Sequence, residues 1–271
     1  MMKNKKFIPG FHLSLGLTVA LLGLIVLIPL ASIIIVSSGV GLQEFFSIVT
    51  SKEVLSGYKV SFSCAFIAAL VNCFFGLILA WVLVRYKFTG KRFLDGLIEL
   101  PFALPTAVSG IALTVLYSDQ GLIGSFFAKF NVKIAYTSIG IVIAMIFIGI
   151  PFVVRTIQPV LEKIDKQYEE AAYILGADKQ TVFFKVIFPE ILPALITGFG
   201  LAFARGLGEY GSVIFIAGNI PYKTQIIPLL IMTKLEQFNY DAATAIALVM
   251  LVISFIILFA INVIQAKLVK V

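Results

Sequence analysis

The residues of this sequence best placed to do chemistry are charges that stand where charge is costly. Arg205 and Glu209 lie inside an apolar run, within Ala204-Arg205-Gly206-Leu207-Gly208-Glu209-Tyr210-Gly211-Ser212. An unpaired charge at the centre of a bilayer costs about 3 kcal/mol on insertion scales, so each should face protein or water. Four residues apart, the two share one helix face and can pair. Two readings stand side by side: a structural ion pair that fixes helix packing, or an anion pathway to which Arg205 adds positive potential while Glu209 holds it in place. Tyr210 and Ser212 are further candidates for polar lining, and Gly206, Gly208 and Gly211 permit close helix approach or local unwinding.

A second cluster is Pro101, Pro105, Thr106, Ser109 and Gly110, preceded by Asp95 and Glu99. Proline frees backbone carbonyls, which a membrane helix tolerates where protein or a water-filled cavity receives them. The segment is a kinked packing helix or a gate. Glu99 reads as a helix-end or inter-subunit contact.

The third candidate is polar: Glu169-Glu170-Ala171-Ala172-Tyr173-Ile174-Leu175-Gly176-Ala177, followed by Val186-Ile187-Phe188-Pro189. Asp165 can cap a short helix through Leu175, Gly176 can supply a left-handed stop, and Asp178 can cap a second helix ending at Pro189. Two helices joined at Gly176-Ala177 make a knob, with small Ala171 and Ala172 admitting another surface and the carboxylates of Glu169 and Glu170 beside the bend. The alternative is a solvated loop with incidental helical turns.

Other chemistry is poorly provided for. His12 is the single histidine, which excludes a multi-histidine metal site within the chain, and no metal ligand set is assigned. No pair of aspartates, metal-binding histidine motif or Ser/His dyad is visible, so no catalytic residue is assigned. There is also no G-x-x-x-x-G-K-[ST] loop to cradle a triphosphate. Cys64 and Cys73 fall nine positions apart on roughly opposite faces of one helix and read as small apolar residues rather than a pair.

The elements that must position these residues are membrane spans. Of 271 residues 60% are hydrophobic and 13% charged, and the mean hydropathy is +1.06. About 20 apolar residues in helical form cross a hydrocarbon core ~30 Å thick, and the apolar runs have that length. The sequence therefore predicts an all-α polytopic membrane protein with six transmembrane helices, at about 13–38, 57–84, 96–117, 135–158, 191–217 and 241–264. Lys3, Lys5 and Lys6 precede the first, which is read as a retained helix because its apolar region exceeds that of a signal peptide.

Lysine and arginine set the orientation. Lys52, Lys59, Lys129, Lys133, Lys223 and Lys234 fall on one side; Arg205 is within a span, and the other cations gather on the opposite side, with both tails and the Glu170 loop. The positive-inside rule places that crowded side in the cytoplasm. A net charge of +7 is thereby explained by topology, without nucleic acid. Residues 1–56 are read as a tail, first span and short outer loop; 57–264 as the main membrane-spanning domain, with its cytoplasmic loop at about 159–190; and 265–271 as a second cytoplasmic tail.

Glu170-Ala171-Ala172, three residues, Gly176, nine residues, then Val186-x-Phe188-Pro189 closely resembles the EAA loop of ABC importer permeases, with Val186 and Phe188 in place of the usual Ile and Leu. The runs Leu100–Gly110 and Phe203–Val213, with Lys234–Tyr240, resemble sulfate and molybdate permeases, most of all the sulfate/thiosulfate permeases of the T type. The resemblance implies a type I ABC importer permease fold in the cytoplasmic (inner) membrane. Its loop, through Glu169, Glu170, Ala171, Ala172, Gly176 and Ala177, would couple to a separate ATPase, which alone uses ATP, so no cofactor is expected on this chain. It also implies two ATPase subunits, a second homologous permease, and a periplasmic or extracellular sulfate/thiosulfate-binding protein. Pro105, Thr106, Ser109, Arg205, Glu209, Tyr210 and Ser212 are the pathway or gate candidates. A molybdate/tungstate importer is the alternative, and a secondary anion transporter or channel the rival of another class.

Overall fold

The computed structural model describes residues 11–269, and among these every regular element is helical. In chain order they are α1 (Phe11–Gly39), α2 (Leu42–Val49), α3 (Lys52–Arg85), α4 (Lys91–Ala103), α5 (Thr106–Tyr117), α6 (Gly124–Ala128) and α7 (Ser138–Lys163). There follow α8 (Lys166–Ile174), α9 (Lys179–Leu207), α10 (Val213–Ile216), α11 (Ile227–Glu236) and α12 (Tyr240–Val269). Five of them are long and apolar enough to cross a membrane. The pair α4 and α5, bent by 113°, makes the sixth crossing if its halves count as one.

The centre of the bundle is the three-way contact of α3, α7 and α9. Between helices in lipid, where burial of apolar surface no longer discriminates, close packing of small residues supplies the attraction. The contact is built accordingly: Ala65, Ala68, Ala69 and Gly76 on α3, Ala144 and Gly149 on α7, and Gly198, Ala202 and Gly206 on α9 are all buried. Helix α1 rests mainly on α12 among the long helices and is exposed along nearly its whole length. Cys64 and Cys73, both on α3, are free.

Polar contacts fasten the two ends of this bundle. At the end where α3 finishes, Arg155 of α7 reaches Asp95 at 2.8 Å and Glu99 at 2.7 Å, tying α4 to α7. At the other end the Tyr58 hydroxyl donates to the Ile246 carbonyl at 2.8 Å, the Ile227 amide donates to Ser61 Oγ at 2.8 Å, and Lys234 pairs with Glu53 at 3.2 Å.

The two helices expected within 159–190 are present, with α7 running on to Lys163 and α9 starting at Lys179. Two expectations about the spans change. The segment after Gly218, expected as a loop, carries α11 with Ile227, Leu229 and Leu230 buried; its apolar run is too short for a span and so reads as loop by length. The fifth span, expected to reach residue 217, stops being helical at Leu207. Lys3, Lys5, Lys6 and Lys270, which entered the charge asymmetry, lie outside the described residues.

Candidate functional site

The first candidate site forms where two interrupted spans meet. Helix α4 ends at Ala103, and Leu104 and Pro105 are extended, with ψ of 136° and 133°. A residue before proline is pushed out of the helical region by the ring, which accounts for Leu104. Pro105 then starts the next helix by accepting from the Ser109 amide at 3.1 Å. The expected kink is thus a full break, and α4 and α5, at 13 and 12 residues, are each too short to span about 30 Å.

Helix α9 breaks in its own way. Arg205 stands in its last turn and Glu209 two residues past its end, rather than both mid-helix as the spacing suggested. The pair nevertheless forms, Arg205 Nη1 lying 2.5 Å from Glu209 Oε2, because Gly208 (φ −85°, ψ 7°) continues the curl of the chain. The other oxygen, Oε1, accepts from the Ser212 amide at 2.8 Å and from Ser212 Oγ at 2.9 Å. Both carboxylate oxygens are therefore occupied, which is what allows Glu209 to be 1% exposed. The Arg205 side chain is 32% exposed, so its charge is neutralised on one side and open on the other.

The two breaks touch. A Cβ built on Gly110 of α5 would lie 2.7 Å from Ser212 Cα, and one on Gly211 3.0 Å from Thr106 Cβ. Thr106, Ser109, Arg205, Glu209 and Ser212, predicted from two separate stretches of sequence, are thereby brought into one neighbourhood. Their parts differ. The Ser212 hydroxyl is spent on Glu209, and Ser109 is buried with its hydroxyl donating to the Pro105 carbonyl at 3.4 Å. Tyr210 is half-buried against the core, and Pro105 is exposed at the bend. Arg205 is the charged group there that keeps accessible donors.

The second candidate site is the elbow between α7 and α9. Asp165 caps α8 by accepting from the Gln167 amide at 3.0 Å. At the far end Gly176, at φ +85°, donates to the Tyr173 carbonyl and Ala177 to that of Ala172, both at 3.0 Å. This is a Schellman stop, completed by Ala172 and Ala177 packing on the same core. Asp178 then caps α9 through the Thr181 amide at 3.0 Å. Hydrogen bonds from the Thr181 side chain and backbone hold the Asp178 carboxyl below its ordinary value.

The expected stop at Pro189 is absent. A turn of π-helix, Phe183–Ile187, precedes Phe188–Leu207, and Pro189 falls in the first turn after it. There the hydrogen-bond ladder changes register, so the missing N–H is tolerated.

On the elbow, Glu170 and Ala171 are exposed, and so are Tyr168, Ile174 and Leu175, the last two at 87% and 88%. Glu169 turns the other way and meets Arg85 at 2.6 Å. Arg85 in turn lies over the Trp81 ring, 5.6 Å from its centroid. Sequence reasoning did not find Arg85, Trp81 or Arg155. Their partners are on other helices, and no local pattern announces them. Glu99, expected at a helix end, is there but held by Arg155. Among the described residues no group of three or more His, Cys, Asp or Glu could hold a metal ion.

Residues 72–270 match the family described as the binding-protein-dependent transport system inner membrane component. The chain is 48% identical over 264 residues to the sulfate transport system permease protein CysT of Salmonella typhimurium, covering 97% of this chain and 95% of that one. It is 47% identical to the protein of the same name from Synechocystis, with 92% and 87% covered. In fold it is similar to the structure of a bacterial ABC transporter involved in import of the acidic polysaccharide alginate, at TM-score 0.79, 15% identity and 96% of each chain. The MetNI methionine ABC transporter in an inward-facing form gives TM-score 0.60 at 15% identity, over 80% of this chain and 96% of that one.

Proposed function

The chain belongs to the binding-protein-dependent transport system inner membrane components, and from that premise we propose that it is a permease subunit of an ATP-driven importer of sulfate. The observation that carries the substrate is the identity of 47–48%, over almost the whole chain, to sulfate transport system permeases. Residues 57–264 form the transport domain, and both termini and the elbow lie in the cytoplasm.

In this reading Glu170, Ala171, Ala172, Gly176 and Ala177 present the elbow to one of two ATPase subunits. A second homologous permease completes the pathway, and a binding protein delivers the anion at the opposite face. ATP is bound and hydrolysed by the ATPases, with no cofactor on this chain. ATP favours whichever arrangement of the complex binds it more tightly. The elbow converts that preference into a tilt of the helices it caps. Its two caps, its glycine stop and its packing on the core support this, because Ala172 and Ala177 fasten the elbow to the core that α9 helps to form.

Sulfate keeps two negative charges through the membrane and needs compensating charge there. Arg205 supplies it at the meeting of the two breaks. Glu209 stabilises the empty state, since it leaves no unpaired cation in a low-dielectric interior. Pro105 and Thr106 provide the bend against which the Glu209 segment rests.

Reconstitution of the complex in proteoliposomes tests this. ATP inside the vesicles should drive uptake of labelled sulfate, excess thiosulfate should compete, and molybdate should compete poorly. Uptake independent of ATP, or molybdate outcompeting sulfate, sinks the proposal.

A further inference from the structure

We propose that α3 is the rod that carries movement from the elbow to the far side of the bundle, with Arg85–Glu169 as its joint at one end and Glu53–Lys234 at the other. The inference rests on the reading of the elbow as the ATPase contact.

Among the helices that touch the elbow, α3 is the one without a weak point. It is 34 residues long, about 50 Å, with no proline and no change of hydrogen-bond register. Helix α9 carries a π turn at Phe183–Ile187, contains Pro189 and Pro193, and ends at Leu207. Helix α7 contains Pro151 and Pro159. Proline removes a rung and bends the rod around it, so displacement at one end is partly absorbed there.

The last turn of α3 grips both sides of the elbow. Arg85 holds Glu169 of α8 at 2.6 Å, with the two side chains only 12% and 19% exposed. Trp81, one turn back, sets its ring edge-on to Phe183 of α9 at 5.4 Å between centroids. A pair so little exposed is weakly screened by salt, and loss of one member strands the other. Glu169 therefore belongs to the permease's own frame, whereas Glu170 beside it is exposed and makes no ion pair among the described residues.

The first turns of α3 grip the other side of the bundle. Glu53 pairs with Lys234 of α11, Ser61 accepts from the Ile227 amide where α11 begins, and Tyr58 donates to the Ile246 carbonyl of α12. Helix α11 is joined to the segment that contains Glu209 and Ser212 through α10 and the connection 217–226. A push on Glu169 thus reaches the far face of the pathway along one unbroken helix.

The test uses the whole complex in proteoliposomes and reads three quantities: ATPase retained on purification, ATP hydrolysed, and sulfate taken up per ATP. Glu169→Gln and Arg85→Gln should keep the ATPase bound and hydrolysing, while sulfate moved per ATP falls on the order of tenfold. Arg85→Glu with Glu169→Arg should restore most of the ratio. Glu53→Gln, at the opposite end, should lower the ratio with ATPase retention unchanged, an effect that a local defect of the elbow would not give.

Single variants with the wild-type ratio overturn the proposal, as does a Glu53→Gln protein with the wild-type ratio. Release of the ATPase by Glu169→Gln also overturns it, since that carboxylate would then touch the ATPase itself. If the single variants fold poorly, the charge-swapped protein decides: monodisperse and coupled supports the rod, monodisperse and uncoupled removes it. A wild-type chain that retains no ATPase removes the elbow reading, and the rod with it.

Discussion

The elbow and the meeting of the two breaks both depend on glycine, and they use it in opposite ways. Gly176 sits at φ +85° with open space where a Cβ would be, so its value is conformational: it adopts a backbone geometry that side chains resist. Gly110 and Gly211 lack that geometry and are needed for room, since a Cβ on either would press on Ser212 or Thr106. The elbow is shaped by hydrogen bonds within one short stretch of chain, from Asp165 to Thr181. The break is shaped by partners that the sequence keeps far apart. The exposed elbow is thus a local construction, while the contact of the two breaks is tertiary.

That contrast is tested most severely by bulk. Gly110→Val should cost on the order of 3 kcal/mol, because the Ser212 backbone cannot yield as a side chain would. In detergent it should lower the unfolding midpoint by roughly 6–12 °C. An unchanged midpoint would mean that the two breaks do not touch.

Charge comes next. Glu209→Gln leaves Arg205 without its counter-ion and should cost about 2 kcal/mol, discounted because the arginine is partly exposed. Adding Arg205→Gln should recover that loss in thermal unfolding, yet sulfate uptake should stay low. A stable double variant with normal uptake would make the pair purely structural.

At the elbow the expected effects are smaller. Gly176→Ala meets no neighbour and should cost only the backbone term, about 1–2 kcal/mol. A cost equal to that at position 110 would erase the distinction between the two glycines.

The smallest effect is in pH. Asp178 has a folded value below its ordinary 3.8, so its contribution to the start of α9 is present above that value and is lost as pH falls through the lowered one. Hydrogen exchange at the Thr181 amide, corrected for intrinsic rate, should therefore accelerate under strong acid. In Asp178→Asn, which keeps an acceptor but no titratable group, that acceleration should vanish.

What could be read beforehand follows the same division. Asp165, Gly176 and Asp178 spell out the elbow because caps and stops are decided by neighbours in sequence. Only the expected end at Pro189 failed, since a π turn absorbs the proline. Hydropathy located the crossings, because each span needs an apolar run whatever its partners. Pro105 announced a bend, but its 113° angle depends on contact with the Glu209 segment, which no single stretch contains. Spacing predicted the Arg205–Glu209 pair, and the pair survives the unforeseen end of its helix. Arg155 and its two carboxylates lie 56 and 60 residues apart, and Arg85 and Glu169 are further still, so their partnership is written in the packing alone.

The third crossing also constrains how this protein is made. Neither α4 nor α5 can cross a bilayer by itself, and the backbone that receives Gly110 lies about 100 residues further along the chain. At a synthesis rate of ~5–20 residues per second, that receiving segment emerges ~5–20 s later. During this interval the bent pair lacks the backbone on which Gly110 packs. Quality-control proteolysis should therefore find it most readily while the ribosome is between codons 110 and 212. Synonymous changes that slow translation there should lower its yield more than the same changes placed after α12 has begun.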